Sequence, residues 1–174
     1  IMSSDWSSDV CSSDLTERQS IYGVPVPGTP ATLLVPGVGC VNGCSFCSIS
    51  HFFGKCYTPF LSTGREIFDT CCRLADETGT DQFFVMDENF LKDTQRARDL
   101  LALMEKHQRW FRFEIFSSAE AITAFGVENM VRMGVEFVWI GVESGSTKGN
   151  FEKNRGIDPK VLVREMRKRG IIVL

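Results

Sequence analysis

The sequence contains little histidine and tyrosine, no long apolar run and no marked excess of charge of either sign. Its 174 residues include 2 His and 2 Tyr, and 19 Lys and Arg stand against 22 Asp and Glu. The longest apolar runs, such as residues 83–86 and 137–140, are far shorter than the roughly 20 residues that cross a bilayer. The sequence has no basic stripe of the kind that nucleic-acid-binding proteins carry. It also has no N-terminal basic region followed by an apolar stretch, which a secretory signal would require. We therefore expect a cytoplasmic protein without membrane or nucleic-acid partners.

Cysteine, by contrast, is abundant, with 7 residues in the chain. Cys40, Cys44 and Cys47 lie close together after an apolar run, and a further adjacent pair occupies positions 71 and 72. This arrangement suits a reducing compartment better than a disulfide framework. A cubane 4Fe–4S cluster normally takes four cysteines, so three thiolates leave one position for water, substrate or cofactor. An open position is typical of a catalytic metal centre rather than a structural one.

Composition divides the chain into three parts. Residues 5–15 are rich in Ser and Asp and resemble the translation of a sequencing-library adapter, so we interpret residues 1–15 as an artefact or a disordered leader. Residues 16–30 are expected to form a linker because they include a stretch rich in Pro and Gly. Residues 31–174 are expected to form the folded core, which is incomplete at its C-terminal end because it stops within an apolar strand.

Strands and amphipathic helices alternate along this core. Such an alternation predicts βαβ units and a parallel sheet, either doubly wound or the beginning of a barrel. Length favours a partial TIM-type (β/α) barrel, truncated after about four and a half βα units. The predicted strands are residues 31–35, 82–86, 111–116, 135–142 and 171–174, and the predicted helices are one that Ser62 caps, 94–107, 119–133 and one that Asp158 and Pro159 begin.

Polar side chains follow four of the predicted strands. The cysteines follow the first strand, Asp87, Glu88 and Asn89 the second, and Ser117 and Ser118 the third, while the fourth ends in residues 141–146. Functional residues of barrels collect at the carboxyl ends of the strands. Each of these residues alone could cap a helix or form a turn. Together they predict one rim that carries metal ligands, carboxylates and hydroxyls.

The C-x3-C-x2-C spacing, with Phe46 before the last cysteine, resembles the radical S-adenosylmethionine enzymes, and the resemblance covers about residues 31–174. In that family three cysteines bind three irons of a 4Fe–4S cluster. The fourth iron binds the amino and carboxylate groups of S-adenosylmethionine, which the reduced cluster cleaves to a 5′-deoxyadenosyl radical. The resemblance implies an enzyme with these two cofactors, an electron donor such as flavodoxin or ferredoxin, and a small-molecule or otherwise unknown substrate.

The resemblance also implies a role for individual residues. The stretch Asp87-Glu88-Asn89-Phe90 departs from the family's Gly-Gly-Glu form and is closer to members that carry a cobalamin domain or transfer methylthio groups, so cobalamin is a third candidate cofactor. The reaction would then be hydrogen abstraction or methyl transfer. By this resemblance, Cys40, Cys44 and Cys47 would bind the cluster, and Phe46 would contact the adenine. Asp87 and Glu88 would contact the methionyl amino group, and Ser117 the methionyl carboxylate. Glu143, with Ser144 or Ser146, would contact the ribose.

Two other readings of the cysteine loop stay open. His51 follows Cys47 by four positions and could complete a closed Cys3His structural zinc site. Cys56 could supply a fourth thiolate, which would give a closed iron–sulfur electron carrier without a substrate.

Overall fold

The computed structural model describes residues 20–21, 24–25, 31–142 and 156–174 of the chain. None of the helices in these ranges is both long and apolar enough to cross a membrane. In chain order the elements are β1 (Ser20–Ile21), β2 (Val24–Pro25), β3 (Thr32–Leu34), β4 (Gly37–Gly39), α1 (Ser48–Phe52), β5 (Tyr57–Pro59), α2 (Gly64–Thr78), β6 (Gln82–Val85), a 3₁₀ turn (Phe90–Lys92), α3 (Thr94–His107), β7 (Arg112–Ser117), α4 (Ala119–Phe125), α5 (Val127–Met133), β8 (Val135–Ile140), α6 (Pro159–Lys168) and β9 (Ile172–Val173).

Five parallel strands form the central sheet, in the spatial order β3-β6-β7-β8-β9. Spatial order and chain order are the same, so the sheet contains no point at which the direction of winding reverses. A doubly wound sheet requires such a reversal, whereas a barrel is wound in one direction throughout. The sheet therefore confirms the predicted parallel α/β fold and its partial-barrel form.

The two faces of the sheet differ because successive side chains along a strand point to opposite sides. On one face Phe83 and Phe113 are fully buried, within a core that includes apolar side chains of the helices. The opposite face carries half-buried aromatic rings. Phe116 stacks on Trp139 with ring centroids 5.0 Å apart, and Phe84 meets Trp139 edge-on at 5.3 Å. The second face is thus an aromatic inner surface of the partial barrel.

Helix α2 begins one residue later than the sequence indicates. The N-cap is Thr63 and not Ser62, because the Thr63 hydroxyl accepts a hydrogen bond from the Glu66 amide at 3.1 Å. The Glu66 carboxylate in turn accepts from the Thr63 amide at 2.9 Å, which completes a capping box. That motif places the carboxylate residue three positions after the cap, a spacing that Thr63 satisfies and Ser62 does not.

The single helix expected over residues 119–133 is two helices, and that expectation was wrong. Gly126 lies between α4 and α5 with φ +94° and ψ 133°, which is outside the helical region. A glycine adopts this conformation without the steric cost of a Cβ atom, so it can end one helix and begin the next.

Two glycines that end helices provide a matched test of the fold. Gly79 after α2 and Gly134 after α5 both adopt left-handed backbone conformations, with φ +71° and +81°. A Cβ atom on Gly134 would lie 2.1 Å from the Phe111 carbonyl oxygen, whereas one on Gly79 would meet nothing within 4 Å.

We expect Gly79→Ala to lower the free energy of unfolding by about 1 to 2 kcal/mol, which is the cost of placing a non-glycine residue in the left-handed conformation. Gly134→Ala should cost at least twice as much in urea unfolding, and equal losses would contradict this packing.

Candidate functional site

The cysteine loop is closed at its base by a short antiparallel hairpin. Strand β4 pairs with β5, with Gly37 opposite Pro59 and Gly39 opposite Tyr57. Residues 40–56 form the loop between these two strands. The sequence analysis missed the hairpin because neither three-residue strand shows an alternating pattern of apolar and polar residues. The pairing holds the two ends of the loop side by side.

The three predicted cluster ligands lie on this loop and are half-buried. Cys40 directly follows β4, and the Cys47 amide donates a hydrogen bond to the Cys44 carbonyl at 3.1 Å. Burial raises the pKa of the Cys40 thiol, and the neighbouring Cys44 and Cys47 raise it further, although the Asn42 backbone and Lys92 act in the opposite direction. Cys40 therefore lies within electrostatic range of the other two cysteines.

The donor set fits an iron–sulfur cubane, in which each thiolate binds a different iron atom. Within residues 31–142 and 156–174, no three His, Cys, Asp or Glu side chains converge tightly enough to hold one metal ion. The other two candidate ligands contact backbone carbonyls. His51 Nε2 lies 3.0 Å from the Ser45 carbonyl oxygen, and the exposed Cys56 Sγ lies 3.5 Å from that of Gly54.

Hydrogen bonds connect the base of the cysteine loop to the segment after β6, and that segment to the end of β7. The Gly39 amide donates to Glu88 Oε2 at 2.9 Å, directly before the first cysteine. Asn89 Oδ1 accepts from the Ser117 hydroxyl at 3.1 Å and from the Ser118 amide at 3.0 Å. The structure thus brings the cysteine loop, Glu88 and Ser117 to one rim.

Asp87 belongs to a buried network with Arg96 and Tyr57. Arg96 Nη2 lies 2.9 Å from Asp87 Oδ2, and both side chains are almost fully buried. The Tyr57 hydroxyl donates to Asp87 Oδ2 and accepts from Arg96 Nη1, each at 2.6 Å. Burial and the hydrogen bond to Asp87 raise the pKa of Tyr57. Burial lowers the pKa of Arg96, but the hydrogen bond to Tyr57 and the charge of Asp87 outweigh it, so the net pKa is raised. Tyr57 therefore stays protonated and Arg96 charged at neutral pH.

A cavity of about 300 Å³ lies between the base of the cysteine loop and the start of α3. Cys40, the buried network and two further charged residues, Lys92 and Asp93, all border this cavity. Its lining residues are Gly39, Cys40, Val41, Tyr57, Asp87, Asn89, Lys92, Asp93 and Arg96.

Of the remaining predicted site residues, the structure describes Phe46 but not Glu143, Ser144 or Ser146. Phe46 lies on the cysteine loop with 51% of its surface exposed. Glu143, Ser144 and Ser146 fall outside the described residues.

The sequence analysis did not single out Tyr57 or Arg96 as site residues. A signal for Arg96 exists, since it precedes the buried Leu100 and Met104 at helical spacing and so belongs to the apolar stripe of α3. A buried arginine needs a carboxylate partner, and Asp87 is that partner.

Three comparisons place this chain among known proteins. The model of the Radical SAM superfamily matches residues 34–173. The sequence is 34% identical to the cytidylyl-2-hydroxyethylphosphonate methyltransferase of Streptomyces wedmorensis over 87 residues. The aligned region is 50% of this chain and 15% of that protein.

The fold resembles two solved structures of the radical S-adenosylmethionine methyltransferase TsrM from Kitasatospora setae. One has the tryptophan substrate and the analogue aza-SAM bound. It matches with a TM-score of 0.62 and 18% identity, over 81% of this chain and 29% of that one. The other has cobalamin and a [4Fe–4S] cluster bound. It matches with a TM-score of 0.60 and 19% identity, over 84% of this chain and 28% of that one. The chain thus spans less than a third of each of these relatives.

The contact between Glu88 and the loop can be tested on the protein without cofactor. Glu88→Ala removes the acceptor of the Gly39 amide, and a hydrogen bond to a charged group contributes about 1.5 to 3 kcal/mol. We expect hydrogen exchange of the Gly39 amide, measured by NMR, to accelerate by roughly tenfold or more. Glu88→Gln keeps an oxygen acceptor and should have a smaller effect. Glu77→Ala, which breaks an exposed pair with Arg73, is the control and should leave Gly39 unchanged. Equal exchange in Glu88→Ala and the unmodified protein would show that the contact does not hold the loop.

Proposed function

This chain belongs to the Radical SAM superfamily, and we propose that Cys40, Cys44 and Cys47 hold its 4Fe–4S cluster, at which S-adenosylmethionine is reductively cleaved. The match over residues 34–173 confirms the family and the enzyme class that the cysteine spacing indicated. The cluster and S-adenosylmethionine are the cofactors of this family, as the sequence led us to expect.

One observation carries the assignment of the ligands. The three cysteines share a single loop, closed at its base by the β4–β5 hairpin, and all three are half-buried. Three thiolates leave one iron of a cubane without a protein ligand, and that iron is available to a cofactor. The thiol ligands must be deprotonated, and bound iron favours the thiolate form.

A cluster held by Cys40, Cys44 and Cys47 would supply one-electron reduction of the sulfonium of S-adenosylmethionine. The protein holds and orients the reactants. Glu88 and Ser117 lie on the rim beside the cysteine loop, where they can face the amino and carboxylate groups of the methionyl moiety. Phe46, next to Cys47, is the proposed adenine contact. Glu143 and Ser144 stay the predicted ribose contacts.

The aromatic inner face of the sheet supports the same reaction. Phe84, Phe116 and Trp139 present a largely apolar surface on the barrel side. An apolar enclosure excludes water and so protects a reactive intermediate from side reactions. We propose that the substrate radical forms over this surface.

Methyl transfer is the proposed outcome of the reaction, with cobalamin as a further cofactor of the intact protein. The matched relative is a methyltransferase, and one of the similar structures contains cobalamin. The acidic form of the segment after β6 is consistent with that subgroup. Hydrogen abstraction without methyl transfer is the second candidate, because the cleavage step is common to both. A flavodoxin or ferredoxin is the proposed electron donor.

Anaerobic reconstitution with iron and sulfide tests the proposal. We expect a 4Fe–4S signal in the electron paramagnetic resonance spectrum of the reduced protein that changes when S-adenosylmethionine is added. Replacing Cys40, Cys44 or Cys47 singly by Ala should lower the bound iron at least fivefold, since each replacement leaves only two thiolates for the cluster.

Cys56→Ala and Cys72→Ala are the matched controls, because both residues lie outside the proposed ligand set. Both should retain the iron content and the response to S-adenosylmethionine. Loss of the cluster in Cys56→Ala would favour the closed electron carrier. Stoichiometric zinc that depends on His51, with no iron uptake, would favour the structural zinc site and overturn the proposal.

A further inference from the structure

We propose that Tyr57, Asp87 and Arg96 form a positioning network that fixes the base of the cysteine loop and thereby sets where the cluster is held; this rests on the proposed function. None of the three is a cluster ligand. In this proposal Asp87 positions the loop, in place of the contact with the methionyl amino group that the resemblance implied.

Tyr57 lies in the hairpin directly opposite the residue that precedes the first proposed ligand. Tyr57 pairs with Gly39, and Gly39 is the residue before Cys40. A restraint on Tyr57 therefore acts next to the first ligand. The ring also lies tightly against β4, because a Cβ atom on Gly37 would be 2.4 Å from the Tyr57 hydroxyl oxygen.

The Tyr57 hydroxyl is held by two partners. It uses its proton toward Asp87 and its oxygen toward Arg96, with both distances 2.6 Å. The Arg96 guanidinium also lies 5.4 Å from the centroids of the Tyr57 and Phe90 rings. These contacts attach the hairpin to α3 and to the end of β6 at the same point.

Asp87 accepts hydrogen bonds from three groups of the protein itself. Its Oδ1 accepts from the Asn89 amide at 3.0 Å, and its Oδ2 accepts from Tyr57 and from Arg96. Asp87 is 2% exposed. Three of the roughly four acceptor positions of this carboxylate are therefore used within the protein, and only Oδ1 has one left for a cofactor amine.

Tyr57→Phe is the principal test, because it removes one oxygen atom and leaves the Arg96–Asp87 ion pair in place. Arg96→Lys is the second variant. It retains the charge beside Asp87, but a single ammonium group cannot reproduce the two-sided guanidinium contact with Asp87 and Tyr57. Asp76→Asn, which alters an exposed pair with Arg109, is the control.

Two measurements separate positioning from folding. The first is hydrogen exchange of the amides of residues 39–47 in the protein without cofactor. The second is the rate at which a chelator removes iron from the reconstituted protein. We expect both rates to increase about tenfold in Tyr57→Phe and in Arg96→Lys, while circular dichroism shows a retained fold. Asp76→Asn should match the unmodified protein in both.

Unchanged loop exchange and unchanged iron release in Tyr57→Phe would overturn the proposal. A uniform increase in exchange across the whole sheet in both variants would also overturn it, because the network would then stabilise the fold as a whole. If the unmodified protein takes up no iron, the proposed function fails. The exchange measurement still decides the positioning role of the network in that case.

Discussion

The buried ion pair between Arg96 and Asp87 is the constraint on which the arrangement of the site depends. Its two side chains are 3% and 1% exposed, and removing a charge from water costs several kcal/mol per ion in a protein interior, by general estimates. That cost is offset only where each charged group finds close partners. Here the partners come from the hairpin, the segment after β6 and the 3₁₀ turn, through Tyr57, the Asn89 amide and the Phe90 carbonyl. The pair therefore joins these three segments at one point.

A steric constraint accompanies this electrostatic one. The Tyr57 ring can reach Asp87 because β4 is built from Gly37, Val38 and Gly39. A Cβ atom on Gly39 would lie 2.3 Å from the Cys56 carbonyl oxygen, and the Gly39 backbone adopts φ +91°. Both the close approach and the backbone conformation require glycine. The glycines before the cysteines thus serve the attachment of the loop, and cluster ligation is the role proposed for the cysteines.

Regular elements could be predicted from the sequence because their periodicity is strong. The stripe of Ala97, Leu100 and Met104 gave the bounds of α3 as the structure has them, and Asp158 with Pro159 marked the start of α6. Gly126 was passed over because a helix can contain a glycine at a cost of only about 1 kcal/mol, so composition alone does not reveal a break. The hairpin was missed because three-residue strands carry no periodic signal. Long-range polar contacts, such as that of Tyr57 with Arg96, leave no local pattern at all.

Adjacent carboxylates in the segment after β6 illustrate the same limit and its consequence. In the sequence Asp87 and Glu88 are an acidic pair with one expected role, but in the structure they hold two strands of one hairpin. Glu88 accepts from the backbone of Gly39, whereas Asp87 accepts from the side chain of Tyr57 on the opposite strand. One contact would leave the hairpin free to pivot about it, and two contacts across a paired position prevent that rotation. In the proposed positioning role, these two contacts fix the direction in which the chain leaves β4 toward Cys40, and cluster binding would then have less conformational entropy to overcome.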